Sequence, residues 1–349
     1  MKNDLKSVAT KFKVYDKLEK LEIDSSRDII SKRPLDLQKI LRINSQASHA
    51  LLKAAAKEVY NYKTRQVLKK NILQPNVLAT GDATIDKLLN KGIPLRSITE
   101  VVGESSSGKT QFVLQLCLSV QLPKTKGGLE GSAIYIHNEG PFPTDRLAQL
   151  ARHNHPNNVE GIMNSIRTMR VKDVDDQYNT LAYHLPAFVE SQANTSKPVR
   201  LVVIDSISAV YRGDSTMNRF DKMKEICDLS TRLKQLAIKY NLAVVAVNQV
   251  SDVFSKENAQ NMEHIDKWMD FQLINQNGNQ MLGLYIQSLS KKPILGLAWS
   301  NAVNTRIRLA RSPMLEGMKT RRVVFIEFSP TAPRLGCEVI IEEGGVKSC

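Results

Sequence analysis

Cysteine is scarce in this sequence. Four residues, Cys117, Cys227, Cys337 and Cys349, lie far apart in 349 positions with no C-x-x-C spacing, so neither a disulfide framework nor a zinc site is suggested. A reduced intracellular setting fits that usage best. Long apolar runs are missing as well. No stretch of about 18 apolar residues occurs, and the N-terminal MKNDLKSVATKFKVYDK has no apolar h-region, so membrane spanning and secretion are not expected. Acidic residues are in deficit: 35 Asp+Glu stand against 49 Lys+Arg, a formal net charge of +14 with pI about 9.5. That balance favours polyanionic partners such as nucleic acid. Residues 1–70 hold 17 Lys+Arg against 8 Asp+Glu, and a second basic stretch, 291–322, carries Arg306, Arg308, Arg311, Lys319, Arg321 and Arg322. For each cluster a solvated surface that keeps the protein soluble is the competing explanation.

What is present is a phosphate loop. An apolar run through Val101 and Val102 enters Gly103-Glu104-Ser105-Ser106-Ser107-Gly108-Lys109-Thr110, and a helix-patterned segment with Phe112, Val113, Leu116 and Cys117 leaves it. Strand, loop and helix follow the G-x-x-x-x-G-K-[ST] pattern. Its glycines let backbone N–H groups close around phosphate oxygens, the lysine reaches the β and γ phosphates, and the threonine hydroxyl binds Mg²⁺. The following helix, with Gln111 in its first turn, adds its positive end to the same anion site. An accidental match in a chain of this length has odds of roughly 1%.

Around this loop the chain changes character twice. Residues 14–62 show helical periodicity through Leu18, Leu21, Ile29, Leu37, Leu41, Leu51 and Ala55; Pro34 interrupts it, and Asn44-Ser45-Gln46 forms a capped turn. That bundle is too small to be an enzyme, which leaves interaction as its role. Residues 63–79 make a basic linker broken at Pro75. From Thr80 the pattern is that of a nucleotide-binding α/β domain. Ile85, Leu88 and Leu89 with Gly92 give a short helix and its stop. Ala133–Ile136 is a buried strand leading to Glu139, a carboxylate placed where an open parallel sheet puts its ligand. Residues 200–205 form a second buried strand ending in Asp205, the expected Mg²⁺ partner. A helix through Leu229, Leu233 and Leu236 leads to a third strand, 243–247, followed by Asn248-Gln249, where an amide can touch a γ-phosphate. Residues 251–289 are a polar stretch longer than ordinary connections, a length that marks functional or disordered segments. Residues 293–310 return to strand-like alternation, and 323–328 reads as a final strand.

In that order and spacing, TGDATIDKLLNKGIPLRSITEVVGESSSGKTQF, YIHNEGPFPTDRL, LVVIDSISAVYR, VVAVNQV and PILGLAWSNAVNTRIRL resemble the RecA-like recombinase superfamily and its eukaryotic recombinase paralogues. LQLCLSVQLPKTKGGLEGSAIYI looks like a recombination-mediator paralogue that works as one half of a heterodimer. The resemblance implies an α/β fold: a RecA-like P-loop ATPase core at 80–349, a mostly parallel sheet flanked by helices, behind a small helical domain at 1–62 similar to a degenerate helix-hairpin-helix. It implies ATP and Mg²⁺ as cofactors. Gly103, Glu104, Ser105, Ser106, Ser107, Gly108, Lys109, Thr110 and Gln111 would hold the nucleotide, with Arg146 stacked on adenine. Thr110 and Asp205 would serve the metal, Glu139 would be the catalytic carboxylate and Gln249 the γ-phosphate sensor. Residues 213–222 and 251–292 match two mobile loops that face single-stranded DNA, with Arg212 and Arg219 as contacts in the first. The partners implied are a second paralogue, the main recombinase filament and single-stranded DNA, in the nucleus and away from membranes.

Departures from the family pattern narrow the reading. The hairpin LRINSQAS lacks the expected glycine, and His137-Asn138 replaces an acidic and small pair before Glu139. Phe328 stands where a neighbour-capping acid is expected, while Pro333 matches the associated proline. No F-x-x-A occurs in the linker. Together these favour an accessory ATP-binding mediator with slow hydrolysis, in which a β-type segment such as 72–78 could add a strand to a different partner's sheet. A self-polymerising strand-exchange ATPase is the alternative. A hexameric helicase shares the core but has no further landmark here, and a small-molecule kinase lacks an acceptor lid.

Overall fold

The computed structural model describes residues 3–23, 25–59, 77–213, 217–251, 272–273, 285–313 and 320–349. Contacts divide the chain into two compact units, Met1–Gln74 and Pro75–Cys349. No helix of the described residues is long and apolar enough to cross a membrane.

The first unit is helical: α1 (Asn3–Lys11), α2 (Tyr15–Lys20), α3 (Ser26–Ile30), α4 (Pro34–Leu41) and α5 (Ser45–Val59). Local chemistry sets these boundaries. Ser25 and Asp28 form a reciprocal capping box on α3, and the Asn44 carboxamide accepts from the Ala47 N–H (2.8 Å) ahead of α5. Pro34 does not interrupt a helix. It occupies the first turn of α4, where the N–H it lacks would have no helical partner. Arg42 ends α4 in the left-handed region at φ 51°, a turn made here without glycine. Leu18, Ile29, Leu37, Leu41, Leu51 and Ala55 close a buried core between these helices.

The second unit is built on strands β1 (Val77–Leu78), β2 (Ile93–Pro94), β3 (Ser97–Gly103), β4 (Ser132–His137), β5 (Ile166–Arg170), β6 (Val199–Asp205), β7 (Ala243–Ser251), β8 (Gln272–Leu273), β9 (Lys292–Pro293), β10 (Thr305–Arg311), β11 (Arg322–Phe328), β12 (Leu335–Glu342) and β13 (Gly345–Ser348). The main sheet runs β13-β12-β11-β10-β3-β7-β6-β4-β5. From β10 to β5 every neighbouring pair is parallel, while β10 to β13 form an antiparallel extension. Helices cover both faces, so the central strands carry near-continuous Val/Ile/Leu rather than alternation. On one face Val101, Val203 and Val245 pack on Phe112 and Leu116 of helix α7 (Lys109–Ser119), the next helix after the short α6 (Ala83–Leu88). On the other, Ile98, Val202, Ile204 and Val244 pack on Ile226, Leu229 and Leu233 of the long helix Arg219–Tyr240.

Several sequence expectations are corrected. The linker does not extend to 79, because Val77 and Leu78 pair antiparallel with Ile93 and Pro94; its residues 63–76 lie outside the described residues. The 213–222 loop ends earlier than expected, since Asn218 accepts from the N–H groups of Phe220 and Asp221 and starts the helix at Arg219. Within the 293–310 segment the full strand begins only at 305 and runs on to 311; Gly296–Ser300 is a short helix that buries Trp299. Residues 323–328 are not the last strand, because β12 and β13 follow across Pro330 and Pro333. β5 carries too little apolar pattern to be read as a strand, with Arg167, Thr168 and Arg170 exposed. Most of 251–289 lies outside the described residues.

The second basic stretch is not a solvated face throughout. Arg306 and Arg308 are buried. Arg306 pairs with the fully buried Glu100 and reaches Glu327 (3.3 Å), and Arg308 pairs with Glu327 (2.8 Å). Glu100 also accepts from Trp299 Nε1 (3.0 Å) and Asn248 Nδ2 (2.7 Å). Such a buried pair is tolerated because its remaining lone pairs are satisfied.

Candidate nucleotide site

Register puts the site residues in one row. Gly103 of β3 lies opposite Gln249 of β7, Val247 opposite Asp205 of β6, and Asp205 opposite His137 of β4. The C-terminal ends of adjacent parallel strands therefore deliver the phosphate loop, the amide, the aspartate and the segment leading to Glu139 to a single edge, where open α/β sheets bind ligands. A cavity of about 830 Å³ opens there, lined by Ser105, Ser106, Gly108, Lys109, Thr110, Gln111, Glu139, Arg146, Asp205 and Gln249.

The loop conformation depends on its small residues. A Cβ on Gly103 would sit 2.2 Å from the Leu309 carbonyl of β10, and Gly108 has φ +106°. Ser106 takes φ 60°. Lys109 opens α7 and folds back so that Nζ donates to the carbonyls of Gly103 (2.9 Å) and Glu104 (2.6 Å). Burial pulls its pKa down from 10.5 to about 8, against the opposing pull of Asp205, Glu139 and Glu104. The Ser107 hydroxyl is buried with no hydrogen-bond partner. A desolvated cation in a glycine-shaped loop that lines the cavity fits a phosphate group, which would supply the counter-charge it lacks.

Beside the lysine, Thr110 Oγ1 donates to Asp205 Oδ2 (2.9 Å), and the Tyr135 hydroxyl donates to the same oxygen (2.6 Å). Burial raises the Asp205 pKa, while these two bonds and Lys109 pull it back. A hydroxyl and a carboxylate side by side at the cavity fit a Mg²⁺ ion held chiefly by phosphate and water.

Across the cavity Glu139, Gln249 and Arg212 form a closed triad. Gln249 Nε2 donates to both Glu139 oxygens (2.9 Å each). The Arg212 guanidinium donates to Glu139 Oε1 and to Gln249 Oε1. Arg212 is thus engaged behind the site, not free on a loop as expected, whereas Arg219 is exposed at the start of its helix. Glu104 turns away, pairing with Lys291 (3.3 Å) and Arg311 (3.6 Å). Arg146 lines the cavity but is held from several sides. It donates to Gln111 Oε1 (2.7 Å), Gln149 Oε1 (2.5 Å) and the Glu342 carbonyl (2.6 Å).

Sequence reasoning missed Tyr135, Arg322, Ile341, Glu342 and Glu343, all at or beside this site. The last four come from β11 and the β12–β13 hairpin, more than 200 positions after the loop, and no local motif marks them. Tyr135 sits in β4, where a tyrosine in an otherwise aliphatic buried strand is the available signal, since its hydroxyl needs a partner.

The Rad51 family profile matches residues 69–269. The chain is 34% identical over 294 residues to the DNA repair protein XRCC3 homolog of Arabidopsis thaliana, covering 77% of this chain and 92% of that protein. It is 31% identical to DNA repair protein rhp57 of Schizosaccharomyces pombe, over 78% of this chain and 79% of the relative. DNA repair protein RAD51 homolog 2 of Homo sapiens is 26% identical across 98% of this chain and 88% of its own length. With a parallel sheet, a phosphate loop and more than half its length matched, this chain belongs to the Rad51 family.

Proposed function

We propose that this protein binds ATP with Mg²⁺ and acts in the nucleus as a recombination mediator in homologous-recombination repair of DNA double-strand breaks. It pairs with a second recombinase paralogue and helps the main recombinase filament to assemble or persist on single-stranded DNA. The observation that carries this reading is the convergence of Lys109, Thr110, Asp205, Glu139 and Gln249 on one cavity of a Rad51-family sheet, in a chain whose relatives bear the names of DNA repair proteins.

Bound Mg²⁺-ATP supplies a transferable γ-phosphoryl group and a metal that offsets its charge. Gly103 to Gln111 would enclose its phosphates, Lys109 would provide the buried positive charge, and Thr110 and Asp205 would hold the metal. Glu139 would polarise an attacking water, Gln249 would contact the γ-phosphate, and Arg146 would support the base. Hydrolysis is slow, because both Glu139 oxygens are already engaged by Gln249 and Arg212. ATP then works mostly as an assembly clamp that stabilises a partner interface by mass action. The exposed side of β5 is available for strand addition, since among the described residues β5 pairs only with β4. The basic helical unit and Arg219 supply DNA contacts.

Light scattering of the purified chain, alone and with ATP, Mg²⁺ and single-stranded DNA, tests the reading. A small species that gains order only with a second recombinase-like protein is the expected result. Large ATP-dependent assemblies of this chain alone would replace it with the self-polymerising strand-exchange ATPase.

A further inference from the structure

Arg212 bonds to the two side chains assigned to the γ-phosphate end of the cavity, yet it does not line the cavity itself. We propose that Arg212 is a positioning residue that makes this site prefer nucleoside triphosphate over diphosphate, by neutralising Glu139 and fixing the orientation of the Gln249 amide. The inference rests on the nucleotide reading above and deepens it.

Two physical arguments support the role. A guanidinium has donors only, so it admits only one orientation of the Gln249 amide. Oε1 must face Arg212, and Nε2, the donor, must face Glu139 and the cavity. Glu139, an acceptor only, favours the same orientation from the other side, so the arginine reinforces it where an incoming phosphate competes for the Nε2 donors. The second argument is charge. Glu139 lines the cavity as a carboxylate and would oppose a γ-phosphoryl group beside it; Arg212 supplies the compensating cation from the same chain. The ion pair is about half exposed, with side chains 41% and 45% accessible, so it contributes little to folding. Its effect falls on the ligand instead. A diphosphate does not extend to this end of the site and is indifferent to it.

The test measures equilibrium binding of fluorescent ADP and of a fluorescent non-hydrolysable ATP analogue, both with Mg²⁺, to the full chain. Coulomb repulsion from one unpaired carboxylate at near-contact range weakens triphosphate binding about tenfold. Arg212→Ala is expected to lose that factor for the triphosphate while ADP affinity stays within about twofold, the ordinary context scatter of a remote substitution. Arg212→Lys restores part of the preference. Adding Glu139→Gln to Arg212→Ala removes the unpaired charge and recovers triphosphate binding. The proposal is overturned if the Ala variant weakens both nucleotides equally, if it tightens the triphosphate, or if the double variant binds no better than Arg212→Ala. A wild-type chain that binds neither nucleotide would remove the underlying site assignment too, which distinguishes the two failures.

Discussion

Nucleotide binding should take up a proton at alkaline pH, and Lys109 is the group that accepts it. In the ligand-free protein burial holds this lysine at a pKa of about 8 instead of 10.5. Because the folded value lies below the unfolded one, the burial penalty on the charged form is fully present below pH 8 and disappears as pH rises towards 10.5. The shift corresponds to roughly 3 kcal/mol of folding stability, recovered across that window. Phosphate oxygens beside Nζ reverse the balance and return the lysine to its charged state. Uptake on binding is therefore about 0.1 proton at pH 7, about 0.5 at pH 8 and about 0.9 at pH 9, and affinity falls about tenfold per pH unit above 8. Titration calorimetry with a non-hydrolysable ATP analogue and Mg²⁺, in pairs of buffers with different ionisation enthalpies, measures the uptake directly. Lys109→Arg stays charged at every working pH, so it binds without uptake even where its affinity is reduced. No uptake at pH 9 in the wild type, or equal uptake in the arginine variant, would refute the reasoning.

Two further perturbations address other parts of the site. Glu139→Gln should spare nucleotide affinity while lowering steady-state hydrolysis at least a hundredfold relative to whatever rate the wild type shows; unchanged turnover in a phosphate-release assay would place the catalytic carboxylate elsewhere. Arg306→Ala strips a fully buried Glu100 of its charged partner and should destabilise the folded chain by about 3–5 kcal/mol. A chemical-denaturation midpoint close to that of the wild type would show that Trp299 and Asn248 satisfy Glu100 without the arginine.

The parallel core was legible because its determinants are local. Strands covered on both faces need near-continuous apolar residues, so Val199–Asp205 and Ala243–Ser251 stand out in the sequence. The phosphate loop is legible for a similar reason: eight consecutive residues carry the whole anion site. Less local features are harder to read. Pro34 looks like an interruption although proline suits a first turn, and β12 and β13 lie beyond two prolines that look like an end. β5, at the sheet's edge, needs only one buried position at its start, and so leaves almost no pattern.

By itself, then, the sequence determined the family, the strand-loop-helix unit and the identity of the residues at the ends of β4, β6 and β7, since each depends on neighbours in the chain. Tertiary structure alone decided which charges are spent inside the molecule. Arg306 and Arg308 look like surface bases until the register of β10 against β3 and β11 brings Glu100 and Glu327 beside them. Arg212 looks like a loop contact until the sheet order places Glu139 and Gln249 within its reach. Electrostatic pairing acts through space over a few ångströms, and positions 37, 73 or 206 residues apart become neighbours only when the sheet has closed.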